Sequence, residues 1–291
     1  MKNKYNGIYV ALMTPFDKNE KINAKALEQY VNYLLKFDIQ GFYVGGSTGE
    51  ALMMQDNERK ELFKLVKKYT TKDIKLIVHV GSLSTKSAID MGLYAKELGY
   101  DAISAVVPFY YGLSQDEIIQ YYLDIVNSVK HDMVIYNFSP SGNSPLTLQT
   151  FKKLFENEHI IGIKHTSQNL FALNQFKALG DVALFNGYDE VMLAGLSMGA
   201  TGGIGSTYNI MPQKYIDLYT AFNEGNMKKA KSIQDEICDI ITTLIECGVL
   251  PSEKYLVSKA GFDMEDCKKP FAKLSLDKKK ILDKLYKEKL S

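Results

Sequence analysis

ATGGIG, residues 200 to 205, decides between the two architectures that the rest of the chain allows. It reads as a short strand, but half of it is glycine, which weakens a strand unless another backbone must approach closely. A strand on the crowded wall of a closed barrel meets that condition. Seven further runs with strand character precede it: GIYVAL (7 to 12), GFYVGG (41 to 46), IKLIVHVG (74 to 81), AISAVV (102 to 107), MVIYN (133 to 137), IIGIKHT (160 to 166) and ALFNG (183 to 187). Helical periodicity fills the intervals, as in 24 to 37, 56 to 69, 85 to 99 and 114 to 129. This alternation over residues 1 to 223 predicts an α/β fold, a (β/α)8 TIM barrel of parallel strands. A doubly wound open sheet is the alternative, and no phosphate-binding G-x-G-x-x-G or G-x-x-x-x-G-K-[ST] follows the first strand to favour it. From 224 to 291 the strand pattern stops and helical segments follow, which predicts a C-terminal helical extension packed on the barrel rather than an independent domain.

The 291 residues are 46% hydrophobic and 24% charged with a formal net charge of +1. That is the balance of a globular protein with no field to attract nucleic acid or an anionic membrane, so a small molecule is the expected partner. The apolar run near the N-terminus is broken by Pro15 and Asp17, too soon for a signal peptide or a spanning helix, and the cytoplasm is the expected compartment. Cys238, Cys247 and Cys267 lack C-x-x-C spacing and are expected as free thiols. Of 35 basic residues only Arg59 is an arginine, so a bound anion is not expected to rest on a guanidinium fork.

In such a barrel the chemistry gathers at the carboxyl ends of the strands. Lys164 stands near the end of an apolar run. Period-two alternation turns Gly162, Lys164 and Thr166 to one face and Ile161, Ile163 and His165 to the other. Facing inward, the ammonium loses water and its pKa falls, and a neutral amine can attack a ketone to form a Schiff base. The alternative is a rim lysine whose head reaches solvent. Lys75 also lies in an apolar run, but it begins its strand, at the end associated with stability. Tyr136 can relay protons, or it is a core phenol with its hydroxyl at the wet edge. GGSTGEA (45 to 51) offers the hydroxyls of Ser47 and Thr48 and the N–H groups of a glycine-rich turn entering a helix, a seat for a carboxylate or an ordinary helix cap. NGYDE (186 to 190) and GGIGSTYN (202 to 209) bring Asp189, Glu190 and Ser206 as acceptors for sugar hydroxyls, although adjacent acids after a strand also suit a plain helix N-terminus. His79, His131, His159 and His165 are scattered without metal-ligand spacing, and no G-x-S-x-G elbow is present. Metal-dependent aldol chemistry and serine hydrolysis therefore find no motif.

In order and spacing, GSTGE, Tyr136 in its YN pair, Lys164 in GIKHTS, NGYDE and GGIGSTYN resemble the N-acetylneuraminate lyase, or sialic acid aldolase, branch of the pyruvate-dependent class I aldolases, the family that also contains dihydrodipicolinate synthase. LMTPFD, DAISAVVPFYY and KKPF extend the resemblance over nearly the whole chain. It implies a homotetramer of barrels with extra C-terminal helices and no metal or organic cofactor. Lys164 is implied as the residue that forms a Schiff base with pyruvate, Tyr136 as the proton relay, and Ser47 and Thr48 as the seat of the pyruvate carboxylate. Tyr110, in PFYY, matches a tyrosine that relatives lend across a dimer interface to a neighbouring site; without the resemblance it is an exposed aromatic. Thr166, Gly187, Asp189, Glu190 and Ser206 match positions that contact the sugar-acid chain.

Two features favour the lyase branch. The loop FSPSGNSPL after the YN pair lacks the arginine that synthase relatives carry there, and GSTGE stands where those relatives usually read GTTGE. Within residues 138 to 142 the proline is displaced by one from the lyase pattern, and His165 and Gln168 are also unusual for the branch. The implied activity is reversible cleavage of N-acetylneuraminate to N-acetylmannosamine and pyruvate. The same chemistry on another 2-keto-3-deoxy sugar acid, or sugar-acid binding without turnover, are the alternatives.

Overall fold

The computed structural model describes residues 4–71, 73–138 and 146–290. Its strands are β1 (Gly7–Ala11), β2 (Gly41–Val44), β3 (Lys75–His79), β4 (Ala102–Val106), β5 (Met133–Phe138), β6 (Ile160–Thr166), β7 (Ala183–Asn186) and β8 (Gly202–Gly205), and they close in that order into a barrel. Each begins and ends within two residues of the run that predicted it. The glycine-rich run explains itself at β8, where a Cβ on Gly202 would enter the backbone of Gly7 in β1. The Gly7 amide also donates to the Thr201 carbonyl at 3.0 Å. The glycines thus lie where the last strand meets the first, a seam that an open sheet lacks.

The helices are α1 (Ala24–Leu34), α2 (Asp56–Tyr69), α3 (Thr85–Glu97), α4 (Gln115–Val129), α5 (Leu148–Leu154), α6 (Leu170–Phe176), α7 (Met192–Ser197), α8 (Pro212–Asn223), α9 (Met227–Cys247), α10 (Val249–Lys259) and α11 (Leu276–Leu285). Two stop before their sequence pattern does. After Leu34 the amides of Lys36 and Phe37 bond three residues back, tightening the last turn, and Gly99 with φ +77° ends the turn after α3. α4 begins where Ser114 and Glu117 cap each other reciprocally.

By its internal packing the chain forms two compact units. One holds the chain up to Tyr9 with Gln40–Tyr43 and Lys75–Ile204; the other holds Val10–Ile39, Val44–Ile74 and the chain from Gly205 onward. In the first, β3 to β8 pair in parallel, and the register sets Tyr136 beside Lys164, Asn137 beside His165 and Phe138 beside Thr166. At the amino ends of these strands Lys75 pairs with Asp101 at 2.7 Å, and the Tyr5 hydroxyl donates to the Asp101 carbonyl and the Asp132 carboxylate. Lys75 therefore serves the stabilising end, as its place at the start of β3 predicts.

In the second unit the turn after β2 is tied to the C-terminal helices. Glu50 and Lys254 are fully buried and bond at 2.7 Å, and Glu50 accepts the Lys268 amide at 2.6 Å. Lys254 and Lys268 both lie over the Phe16 ring, and Lys268 reaches the Glu20 carbonyl and Glu58. Each buried charge thus has an opposite charge or carbonyl to replace water.

Candidate active site

Lys164 is the third residue from the end of β6 and only 6% exposed. Its Nζ sits 4.4 Å from the ring centroids of both Tyr43 and Tyr136. The rings continue into a cluster, with Tyr136 stacked on Phe138 and edge-on to Tyr43 and His79. The rim reading fails on this burial: the stem does not carry the amine out to water. Desolvation pulls the Lys164 pKa down to about 7, while the charge of Asp189 pulls the other way. Ring faces favour the ammonium, but they cannot replace its hydration. A large share of the amine is thus neutral and nucleophilic near neutral pH, as a Schiff-base lysine requires.

The groups around the amine are held from behind. The Tyr43 hydroxyl hydrogen-bonds the Ser104 hydroxyl at 3.0 Å, and the Val106 amide donates to His79 Nε2 at 3.1 Å, which leaves the His79 ring proton on Nδ1. After β7, Asn186 donates to the Tyr188 carbonyl at 2.6 Å and shapes the turn that carries Asp189, itself 5% exposed. Asp189 and Glu190 open a single 3-10 turn (Asp189–Val191), and the burial of Asp189 beside a lysine's field sets it apart from an ordinary helix-start acid. Thr166 is buried, and its hydroxyl has no hydrogen-bond partner among the described residues. A Cβ on Gly187 would collide with that hydroxyl, so glycine at 187 is what leaves it room. An orphaned buried hydroxyl is costly unless a ligand completes it.

The remaining expected site residues are Ser47, Thr48, Ser206 and Tyr110. Ser47 is exposed and Thr48 half-buried on the turn after β2. That turn does not open an α-helix as its sequence suggests. Glu50 takes a left-handed φ of +59°, a three-residue 3-10 turn follows (Ala51–Met53), and α2 starts later behind its own Gln55–Glu58 box. A carboxylate there would meet turn amides with little helix dipole behind them. The Ser206 hydroxyl donates at 2.7 Å to Glu253 on α10, a fully buried carboxylate. Tyr110 is 74% exposed and edge-on to Tyr111. Residues 139–145, with most of the departing loop, lie outside the described residues.

Sequence reasoning missed Tyr43, Phe138, His79 and Glu253. Alternation within GFYVGG could have turned Tyr43 inward with the strand-end groups; nothing local announces that α10 delivers a carboxylate to Ser206. The three cysteines are free thiols, and burial pushes Cys267 up to about 12, far from a nucleophile's range.

A closed barrel that shelters a desolvated lysine amine among tyrosines at the carboxyl ends of its strands is an enzyme frame of the aldolase type. Residues 4–289 match the Dihydrodipicolinate synthetase family, and the chain belongs to that family as a lyase or aldolase. Among solved structures it is similar to CdNal from Clostridium difficile in complex with mannosamine, at 34% identity over 98% of this chain and 99% of that one, TM-score 0.94. N-acetylneuraminate lyase from Fusobacterium nucleatum is also 34% identical, over 99% of this chain and 100% of that one, TM-score 0.94. Sialic acid aldolase from Ruminococcus gnavus is 29% identical over 98% and 97%, TM-score 0.93.

Proposed function

We propose that the enzyme cleaves N-acetylneuraminate reversibly to N-acetylmannosamine and pyruvate through a Schiff base on Lys164. The observation that carries the reading is the desolvated amine between two tyrosine rings. The likeness to lyases and aldolases of this substrate supports it.

Lys164 Nζ adds to the C2 ketone of the open-chain sugar acid, and loss of water leaves an iminium that serves as an electron sink. Tyr136, relayed through Ser47 and a partner's tyrosine at position 110, takes the C4 hydroxyl proton. The C3–C4 bonding pair moves toward C2 and neutralises the iminium, releasing the aldehyde N-acetylmannosamine and leaving an enamine. Protonation at C3 and addition of water then free pyruvate and the amine. Ser47 and Thr48 seat the carboxylate, while Thr166, Gly187, Asp189, Glu190 and Ser206 line the course of the sugar chain. No metal or organic cofactor enters this scheme. The same reading makes the enzyme a cytoplasmic homotetramer; among the described residues no helix is long and apolar enough to cross a membrane.

Borohydride reduction in the presence of pyruvate, followed by peptide mass mapping, tests the covalent step. A reduced adduct on Lys164, absent from Lys164→Ala, is expected; no adduct on a folded wild-type chain would leave a sugar-acid-binding protein. Cleavage rates over a panel of 2-keto-3-deoxy sugar acids test the substrate, and faster turnover of a shorter acid would overturn N-acetylneuraminate.

A further inference from the structure

On the back of the wall that carries Lys164 and Tyr136, a second pair of side chains joins the same two strands. Asn137 and His165 are register partners one residue beyond Tyr136 and Lys164, and alternation puts them on the opposite, helix-facing side. Asn137 Nδ2 and His165 Nδ1 are 3.0 Å apart, and His165 Nε2 is 3.1 Å from the Asn169 carbonyl. Asn169 is the N-cap of α6, and the His165 ring stands edge-on to Phe176 at the other end of that helix. Asn137 and His165 are both about fully buried.

The carbonyl of Asn169 can only accept, so Nε2 carries the proton. In the neutral ring Nδ1 then accepts from Asn137. Burial, which lowers the His165 pKa, agrees with a neutral ring. An imidazolium would set an N–H against the Asn137 amide N–H and break the bond. The preceding outward residues of these strands, Ile135 and Ile163, are aliphatic, and an apolar pair in place of Asn137 and His165 would cost little stability. A polar clasp at this register has a different use.

We propose that the Asn137–His165 bond is a positioning clasp that fixes the sliding and splay of β5 against β6, and thereby the approach of the Lys164 amine to the Tyr136 phenol. The clasp rests on the Schiff-base reading for its catalytic meaning, and its geometry can be tested apart from it. A displacement of about an ångström between reacting groups costs up to about a hundredfold in rate.

The test compares His165→Leu with His165→Asn. Both lose the imidazole and the bond to Asn169, but the Asn side-chain oxygen stands where Nδ1 stood and can accept from Asn137. The rate of pyruvate trapping at saturation is expected to fall about ten- to a hundredfold in His165→Leu and to return to within about fivefold of wild type in His165→Asn, with half-saturation little changed in either. Equal rate losses in the two variants would overturn the clasp and leave His165 a packing residue. If wild type forms no adduct, the Schiff-base reading fails instead, and cyanate labelling of Lys164 takes over the same comparison. Nitrogen NMR of the wild-type histidines needs no variant to fold: an Nε2–H tautomer at His165 is expected, and an Nδ1–H tautomer would overturn the proposal.

Discussion

At the scale of single residues, the site is a contest over one proton on Lys164. Burial drives it off and the Asp189 carboxylate holds it on, with burial winning to leave a pKa of about 7. Asp189→Asn removes the opposing charge, so the acid limb of the pyruvate-trapping rate is expected to move to lower pH than in wild type. A limb that moves upward or stays in place would show that Asp189 does not act on the amine. The same contest appears in stability. Unfolded Lys164 keeps its proton up to about pH 10.5, whereas the folded chain releases it near 7. Between those values the unfolded state binds more protons, and stability rises with pH. Lys164→Met removes this burden. It is expected to exceed wild type by a few kcal/mol at about pH 6 and to lose most of that advantage toward about pH 10, read as denaturation midpoints across pH.

At the scale of elements, the strands were legible because each is a short apolar run between turn residues, and parallel strands buried on both faces carry no other signature. The glycines of β8 were legible for the same physical reason that they are required, the close approach of Gly7. Lys164 and Tyr136 were legible as polar groups at strand ends. Glu50 was not. In GSTGE it looks like a helix-start acid, but its carboxylate is spent inside, on Lys254 and the Lys268 amide, more than 200 positions away. No local pattern encodes such a pairing. Glu50→Gln strands the Lys254 ammonium without its anion and is expected to cost about 3–5 kcal/mol in unfolding free energy. Adding Lys254→Met removes the stranded charge, and the double variant is expected to recover more than half of that loss. A double variant no more stable than Glu50→Gln would mean that the ion pair does not set the cost.

At the scale of the whole molecule, the proposed chemistry borrows a tyrosine from a second chain. Phe109, Tyr110 and Tyr111 follow β4 as three successive exposed aromatics, and such an apolar run facing solvent is a cost that a partner surface would relieve. The proposed tetramer supplies that surface and makes Tyr110 part of the neighbouring chain's relay. Exchange of this kind is reciprocal in a two-fold interface. It gives a prediction that single-chain catalysis cannot mimic. Lys164→Ala and Tyr110→Phe are each expected to lose most activity when pure. Dissociated and reassembled together, they form mixed pairs in which the Tyr110→Phe chain keeps its own Lys164 and borrows Tyr110 from the Lys164→Ala chain. About a quarter of wild-type activity is then expected, since half of randomly formed pairs are mixed and each contains one complete site. If the reassembled mixture shows no more activity than the average of its parents, Tyr110 serves its own chain or none, and the shared relay is wrong while the Lys164 chemistry stands.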